Sequence, residues 1–340
     1  MGRLSVLKIM GLGVIVLILL NTTTLGAQKN VVIKIATLAP DGSAWMKVFN
    51  ELNEDLKART DNRVSFRIYP GGVLGDEKDM LRKMMIGQIH GAVLSAPGLS
   101  TIVKAMNVTQ VPFLFETYGE VDYVLTKMDG FFKKAFEDKG YALLGWSEGG
   151  FVRLMSTVPI NTLSDLKQSK VWTWEEAPIA QAIFDEANIS AVPLSIPDVL
   201  LGLQTDMIQV VYAPPAGAIS LQWFVKTKYL TDVPLMYLAG GIVVKKQILT
   251  SISKADMQVM TESIDRYMIK LTKVIRKQNQ EAIQVMEKHG VQILNPTREE
   301  IEKFKALSSK AMQRLGNEDL PKEILKEVYG YLETYRKEKK

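Results

Sequence analysis

From residue 31 onward, the apolar positions switch repeatedly between two periods. Val31 to Thr37 (VVIKIAT) is a short β-rich run, Leu38 to Ser43 (LAPDGS) supplies turn chemistry, and Ala44 to Ala58 is amphipathic at helical spacing. Arg63 to Tyr69 sets Val64, Phe66 and Ile68 between polar neighbours, which predicts a second strand ended by Pro70-Gly71-Gly72. Asp76 to Ile86 then carries Met80, Leu81, Met84 and Met85 on one helical face, and Gly91 to Leu94 reads as a third strand. Strands alternating with helices in this way predict an α/β fold with parallel βαβ units and ligands at the carboxyl ends of the strands.

The middle of the chain repeats the theme. Ala142 to Trp146, Phe151 to Ser156 and Lys170 to Trp174 read as strands, and Pro178 to Ala187 as a helix. A further helix is predicted from Ser195-Ile196-Pro197-Asp198 through Leu203, with Asp198 favourable in its first turn. Met207 to Val211 and Gly240 to Val244 read as returning strands. From Lys254 to His289 runs a helical pattern free of proline and glycine, with Met257, Met260, Ile264, Met268, Leu271, Ile275 and Ile283 near helical spacing. Such a helix is about 50 Å long, more than one small lobe requires.

The N-terminus changes the picture of where the chain works. Arg3 and Lys8 precede the apolar run Ile9 to Leu20, and small residues follow at Gly26 and Ala27, so residues 1–27 read as a cleavable export signal, with an uncleaved membrane anchor as the alternative. Either way the folded part lies outside the cytoplasm, and the periplasm is the expected location. The chain has no cysteine, which excludes a lipoprotein thiol, disulfides and thiolate metal sites. Its formal net charge is +5, or +3 without Arg3 and Lys8. Lys and Arg are dense only in the tail Arg336 to Lys340, read as a frayed terminus, so nucleic-acid binding is not expected.

Several segments, taken in order, resemble the solute-binding proteins of tripartite ATP-independent periplasmic (TRAP) transporters, the DctP type. Ala36 to Trp45 (ATLAPDGSAW) resembles that family's opening strand and loop, Tyr69 to Leu81 (YPGGVLGDEKDML) its most recognisable block, followed by Met85 to His90, and Val111 to Glu116 (VPFLFE) another. Gly149-Gly150-Phe151-Val152, Asp165 to Trp172 (DLKQSKVW) and Leu203 to Pro214 (LQTDMIQVVYAP) match the family's NGFR, DLKGLKIR and LQTGVVDGQENP segments. The resemblance implies a two-lobe periplasmic-binding-protein fold with mixed sheets and a hinge. It places lobe I at 30–149 plus 238–275, lobe II at 150–237 plus 295–335, and a linking helix at 254–289. It also implies a protein that closes on a solute and presents it to a membrane permease, in some related systems with a TPR-repeat periplasmic subunit.

The departures are as informative as the matches. Trp172 stands where the family's carboxylate-binding arginine belongs, Val152 where the NGFR arginine does, and Ala213 where the ENP asparagine does. An indole offers one N–H donor and no charge, so it does not replace a guanidinium fork. Arg153 is adjacent to Val152, but in a regular strand it points to the opposite face; a bulge near Gly149-Gly150 would bring it back. Ile196 and Ser95 occupy positions where some members place a phenylalanine and a glutamate, and Glu77 keeps an acidic position that is equally at home as a solvated helix-start carboxylate. Aromatic residues around this shell are Trp45, Phe113, Phe151, Trp174, Tyr212, Trp223 and Tyr237; for any one of them core packing is the leading reading and a place in the ligand's surroundings the other. The expected ligand is therefore more hydrophobic than the family norm: an apolar organic acid, a neutral metabolite or a lipid-like molecule.

No cofactor, metal site or catalytic residue is expected. There is no Gly-x-Ser-x-Gly elbow, His90 and His289 lack metal-ligand spacing, and Asp76, Glu77 and Asp79 fit a helix start better than an acid/base pair. An interaction protein that keeps the fold without transport is the main alternative, and an enzyme the lesser one.

Overall fold

The computed structural model describes residues 30–175 and 177–339; the segment read as an export signal and Lys340 lie outside them. The chain opens with β1 (Val31–Thr37), α1 (Ala44–Arg59), β2 (Val64–Tyr69), α2 (Glu77–Met85), β3 (Gly91–Ser95), α3 (Ala96–Ile102) and α4 (Tyr118–Asp138). Next come β4 (Tyr141–Ser156), α5 (Leu163–Lys167), β5 (Trp172–Thr173), α6 (Pro178–Ala187), β6 (Val192–Pro193), α7 (Val199–Gln204), β7 (Val210–Ala213) and α8 (Pro215–Ser220). The chain closes with β8 (Tyr229–Lys245), α9 (Lys246–Leu249), α10 (Lys254–Lys288), β9 (Gln292–Leu294), α11 (Arg298–Arg314) and α12 (Lys322–Glu338).

One mixed sheet runs in the order β2-β1-β3-β8-β4-β7, with β9 beside β8; β5 and β6 form a separate parallel pair. The parallel pairing of β1 with β2 and β3 is the expected βαβ arrangement. Two expectations need correction. Ala142 to Trp146 and Phe151 to Ser156 are not separate strands but one, β4, and Gly240 to Val244 is only the last third of β8. At about 3.3 Å per residue, each of these strands is about 50 Å long, enough to run through both halves of the molecule.

Their antiparallel ladder, from Tyr141↔Lys245 to Ser156↔Tyr229, breaks register at Leu143/Gly145, Glu148/Gly150 and Val152/Leu154. The middle break is a glycine effect: Gly150 has φ +106, and a Cβ there would lie 2.4 Å from Nδ2 of Asn279 on α10. That amide donates to the Gly149 carbonyl (2.7 Å), and its oxygen accepts from Ala216 N–H (3.0 Å), pinning the crossing point of the strands to the long helix.

The hydrophobic interior is divided. Met260, Ile264, Leu271 and Ile275 of α10 pack with Phe49, Leu52 and Leu56 of α1 against β1 and β2, whereas Met286 joins a second core with Trp172, Val199 and Trp223. The long helix thus serves both halves. The stretch 295–335, assigned above to one lobe, is divided: Phe304 of α11 packs with Ala180 and Phe184 of α6, but Val328 and Leu332 of α12 pack with Val121 and Phe136 of α4. The tail is also not frayed as far as Arg336, whose guanidinium donates to Glu120 (2.7 Å) and to the Leu114 carbonyl (3.2 Å).

Candidate ligand-binding cavity

Where the carboxyl ends of β1 and β3 face the middle of β4 and β8, side chains from both halves surround a cavity with about 200 Å³ of space for the centre of a water molecule. At about 10–15 Å³ per water-sized sphere, that is room for a small organic molecule rather than a single solvent site. One wall comes from Leu38, Trp45, Glu77 and Ser95, the floor from Glu148, Gly149, Val152 and Leu238, and the far wall from Trp172, Trp174, Ile196, Tyr212 and Ala213. Of the residues anticipated from sequence, Trp45, Glu77, Ser95, Val152, Trp172, Trp174, Ile196, Tyr212 and Ala213 therefore line one space.

Four others do not. Phe113 lines a second cavity, of about 60 Å³ on the same measure, on the far side of Val152 and Tyr212. Phe151 and Tyr237 point into the core, where their rings lie 5.6 Å apart and Phe151 meets Tyr118 at 5.0 Å. Arg153 does sit at a register break, between Val152 and Leu154, but the extra residues are on β8; its Nε donates to Asp232 (2.5 Å), which occupies the guanidinium away from the cavity.

Trp172 is 1% exposed, and its indole is held on three sides. Nε1 donates to the Leu194 carbonyl (2.9 Å), and the ring lies 4.8 Å from that of Tyr212 and 5.4 Å from that of Trp223. It is a fixed wall rather than a mobile clamp. Trp45 donates from Nε1 to the Glu148 carbonyl (3.3 Å) across the floor.

Two acidic positions sit at the start of α2. Glu77 is not a solvated helix-start carboxylate: it is 4% exposed and accepts from Ser95 N–H (2.8 Å) and Oγ (3.0 Å). Burial pushes its carboxyl up to about 8, and the nearby Asp76 charge adds to the effect while the Ser95 and Gly98 N–H groups oppose it. Asp76 caps the helix by accepting from Glu77 N–H (2.8 Å), and its Oδ2 also accepts from Trp174 Nε1 (2.9 Å) and Ile196 N–H (3.0 Å). Its carboxyl is likewise raised, chiefly by burial. The capping box that Asp79 completes matches the helix-start role read from sequence.

A third group escaped the sequence reading. Glu148 is 5% exposed beneath the cavity floor, where Arg276 of α10 reaches it with Nε (2.9 Å) and Nη2 (3.0 Å) while also gripping Asp122 of α4. Tyr237 donates its hydroxyl to the same carboxylate, and burial followed by the Glu148 charge pushes the phenol well above its ordinary range. The only sequence signal was an acidic residue just before Gly149-Gly150; Arg276 is one cation among many on a helix. The arrangement neutralises Glu148 internally, leaving no cation facing the cavity: among the described residues, no Lys, Arg or His lines it. Nor do the described residues contain a group of three or more His, Asp or Glu that could hold a metal ion.

Comparisons with known proteins agree with this architecture. The 2,3-diketo-L-gulonate-binding periplasmic protein YiaO of Escherichia coli (strain K12) is 25% identical over 250 residues, 73% of this chain and 75% of its own. Among solved structures, a TRAP periplasmic solute-binding protein from Ralstonia eutropha H16 with bound (S)-2-acetolactate superposes with a TM-score of 0.83 at 21% identity, covering 89% of this chain and 99% of that one. The sugar acid binding protein DctPAm from Advenella mimigardefordensis with galactonate gives 0.82 at 18% identity, covering 90% and 99%. With residues 35–319 matched by the model of bacterial extracellular solute-binding protein family 7, this chain belongs to that family, the DctP-type binding proteins of TRAP transporters, and is a binding protein rather than an enzyme.

Proposed function

We propose that this protein works in the periplasm, closes by a hinge on a relatively hydrophobic small molecule, and delivers it to a TRAP membrane permease. The observation that carries the ligand class is that, among the described residues, no cation lines the cavity wall, with Trp172 and Val152 at the positions of the family's arginines. The named ligands of the relatives, diketogulonate, acetolactate and galactonate, are carboxylates. In this chain a ligand carboxylate would be buried beside Glu77 and above Glu148 with no guanidinium to meet it, at a cost of several kcal/mol. An apolar ligand needs no such partner. Burying about 200–300 Å² of its surface at about 25 cal/mol/Å² yields about 5–8 kcal/mol before ordering costs, which makes micromolar affinity the upper limit from burial alone in a preformed cleft. A location outside the cytoplasm fits the N-terminal segment and the periplasmic relatives, and among the described residues no helix is long and apolar enough to cross a membrane. A TPR-repeat subunit would suit delivery of such a ligand.

The test is denaturing extraction of the purified protein followed by mass spectrometry, paired with calorimetry against galactonate and 2-acetolactate. A stoichiometric apolar molecule and no heat with the acids is the expected result. Tight binding of either acid would sink the apolar reading, and an empty protein that binds neither class would favour the interaction-protein alternative.

A further inference from the structure

The smaller cavity lies directly behind the larger one, and the two share a wall of Val152, Ala180, Tyr212 and Met236. Its own lining, including Phe113, Leu154, Phe184 and Phe304, is almost wholly carbon. Protein interiors ordinarily close such space, because an unfilled apolar void forfeits contacts. Here the backbone beside it is irregular. Between Val152↔Met236 and Leu154↔Thr231 the β4–β8 ladder advances two residues on one strand and five on the other, so Asp232 to Leu235 fall outside the regular ladder, and Leu235 lines the cavity. Phe113, bonded to that excursion, adopts φ +57, a left-handed conformation that is an outlier for a bulky residue, fixed by its N–H donating to the Leu235 carbonyl (2.7 Å). Strain and a broken ladder at the same apolar void point to a built subsite rather than a packing gap.

The polar groups are distributed unevenly between the two spaces. Glu77, Ser95, Gln110 and Ser147 all line the main cavity, whereas among the described residues Ser308 is the polar side chain found at the smaller one alone, Tyr212 lining both. Of the shared wall, Met236 is the adjustable member, unbranched and with several soft torsions, so it is the side chain able to swing aside. We infer that the paired cavities take an amphiphile: an uncharged polar head among Glu77, Ser95 and Gln110, and an unbranched apolar tail that passes Met236 into the space between Phe113, Phe184 and Phe304. The smaller cavity has room for about four to six water-sized spheres, hence a tail end of comparable size. This inference rests on the apolar-ligand reading and narrows it to a chain-bearing molecule.

The probe is a series of straight-chain primary alcohols from butanol to dodecanol, measured by calorimetry on the full exported protein. With the tail subsite in use, affinity rises roughly fourfold per added carbon, the value of burying a methylene, until the chain end meets the far wall. Ser308→Phe, on α11, fills the smaller cavity and ends that rise several carbons earlier; Ser308→Ala, which leaves the space open, keeps the wild-type limit. Melting curves of both variants establish that they fold. Binding with the same length limit in wild type and Ser308→Phe overturns the tail subsite while leaving the apolar-ligand reading intact. If the wild type binds no alcohol of any length, the apolar-ligand reading itself is overturned.

Discussion

The indole Nε1 of Trp174 donates to Oδ2 of Asp76 at 2.9 Å, joining residues 98 positions apart, one on the cavity wall and the other at the cap of the helix that carries Glu77. The same oxygen accepts Ile196 N–H at 3.0 Å, and on the solvent side Lys78 and Glu175 approach to 3.7 Å. The exposed ion pair contributes little, but the bonds to the buried carboxylate tie a helix cap to two residues of the opposite wall.

Trp174→Phe isolates that tie, because it removes the N–H and keeps an aromatic wall. One hydrogen bond to a charged group contributes about 1.5–3 kcal/mol, so closure should become less favourable by that order. The expected readout is a larger radius of gyration of the ligand-free protein by X-ray scattering, with ligand dissociation accelerated about tenfold or more. Unchanged scattering and an unchanged off-rate would show that the bond follows closure without supporting it. Asp76→Ala should act more strongly, since it also removes the cap of α2, itself worth about 0.5–2 kcal/mol.

Glu77 predicts a pH signature. Its folded-state value of about 8 lies above the ordinary 4.5, so the folded protein holds a proton that the unfolded chain releases. The contribution to stability is full below about pH 4.5 and is lost as pH rises toward 8, with no further loss beyond. At about 1.4 kcal/mol per pH unit the whole window amounts to a few kcal/mol. Glu77→Gln, which mimics the protonated form, should flatten that decline, so urea melts at pH 5 and pH 8.5 should differ by less in the variant than in the wild type. Equal slopes would mean that the carboxyl is charged when folded.

What the sequence disclosed, and what it hid, divides by the range of the interaction. β1, α1, β2 and the start of α2 are local patterns: alternating Val64, Phe66 and Ile68, a Ser43 cap and a Pro-Gly-Gly stop suffice. The helix α4 carries comparable signals, a Thr117 cap with Glu120 three residues on and Val121, Val124, Met128, Phe132 and Phe136 on one face, and is an addition to the elements expected from sequence. Continuity of β4 was not legible, because Gly149-Gly150 reads as a break until Asn279 from α10 is seen to hold the bulge within a strand. The cavity wall was identifiable at Trp172 through alignment with a motif. The burial of Glu77 was not, since it depends on Ser95 and Gly98 folding over it. Arg153 was placed by counting along β4, whereas its partner is set by an excursion in β8.

Arg276 holds the crossing strands to the long helix, and its loss should be costly. Its guanidinium meets Glu148 and Asp122 and stacks over the Tyr118 ring at 4.4 Å from the centroid. Arg276→Ala leaves Glu148 buried with only the Tyr237 hydroxyl, and chemical denaturation should register a loss of about 3–5 kcal/mol. Arg276→Lys keeps the charge without the planar fork and should recover only part of it. The double variant Glu148→Gln with Arg276→Met should be more stable than Arg276→Ala alone, because no unpaired charge remains; strict additivity of the two single changes would deny the coupling.

Trp172 separates the wall from the clamp. Because the indole is packed among Tyr212, Trp223 and the Leu194 carbonyl, Trp172→Ala should destabilise the fold by about 3–5 kcal/mol and also weaken an apolar ligand by about 1–3 kcal/mol. The two effects are separable by comparing melting temperature with the dissociation constant measured well below the melt, and an unchanged dissociation constant would remove Trp172 from the ligand's surroundings. The converse change is more discriminating. Trp172→Arg combined with Val152→Arg places two guanidinium groups on the cavity wall, where a ligand carboxylate can neutralise them. Calorimetry should then detect galactonate binding in the variant and none in the wild type, while affinity for straight-chain alcohols falls. Protein that folds but gains no acid binding would mean that these two positions, although they face the cavity, do not present their side chains as the arginines of carboxylate-binding relatives do.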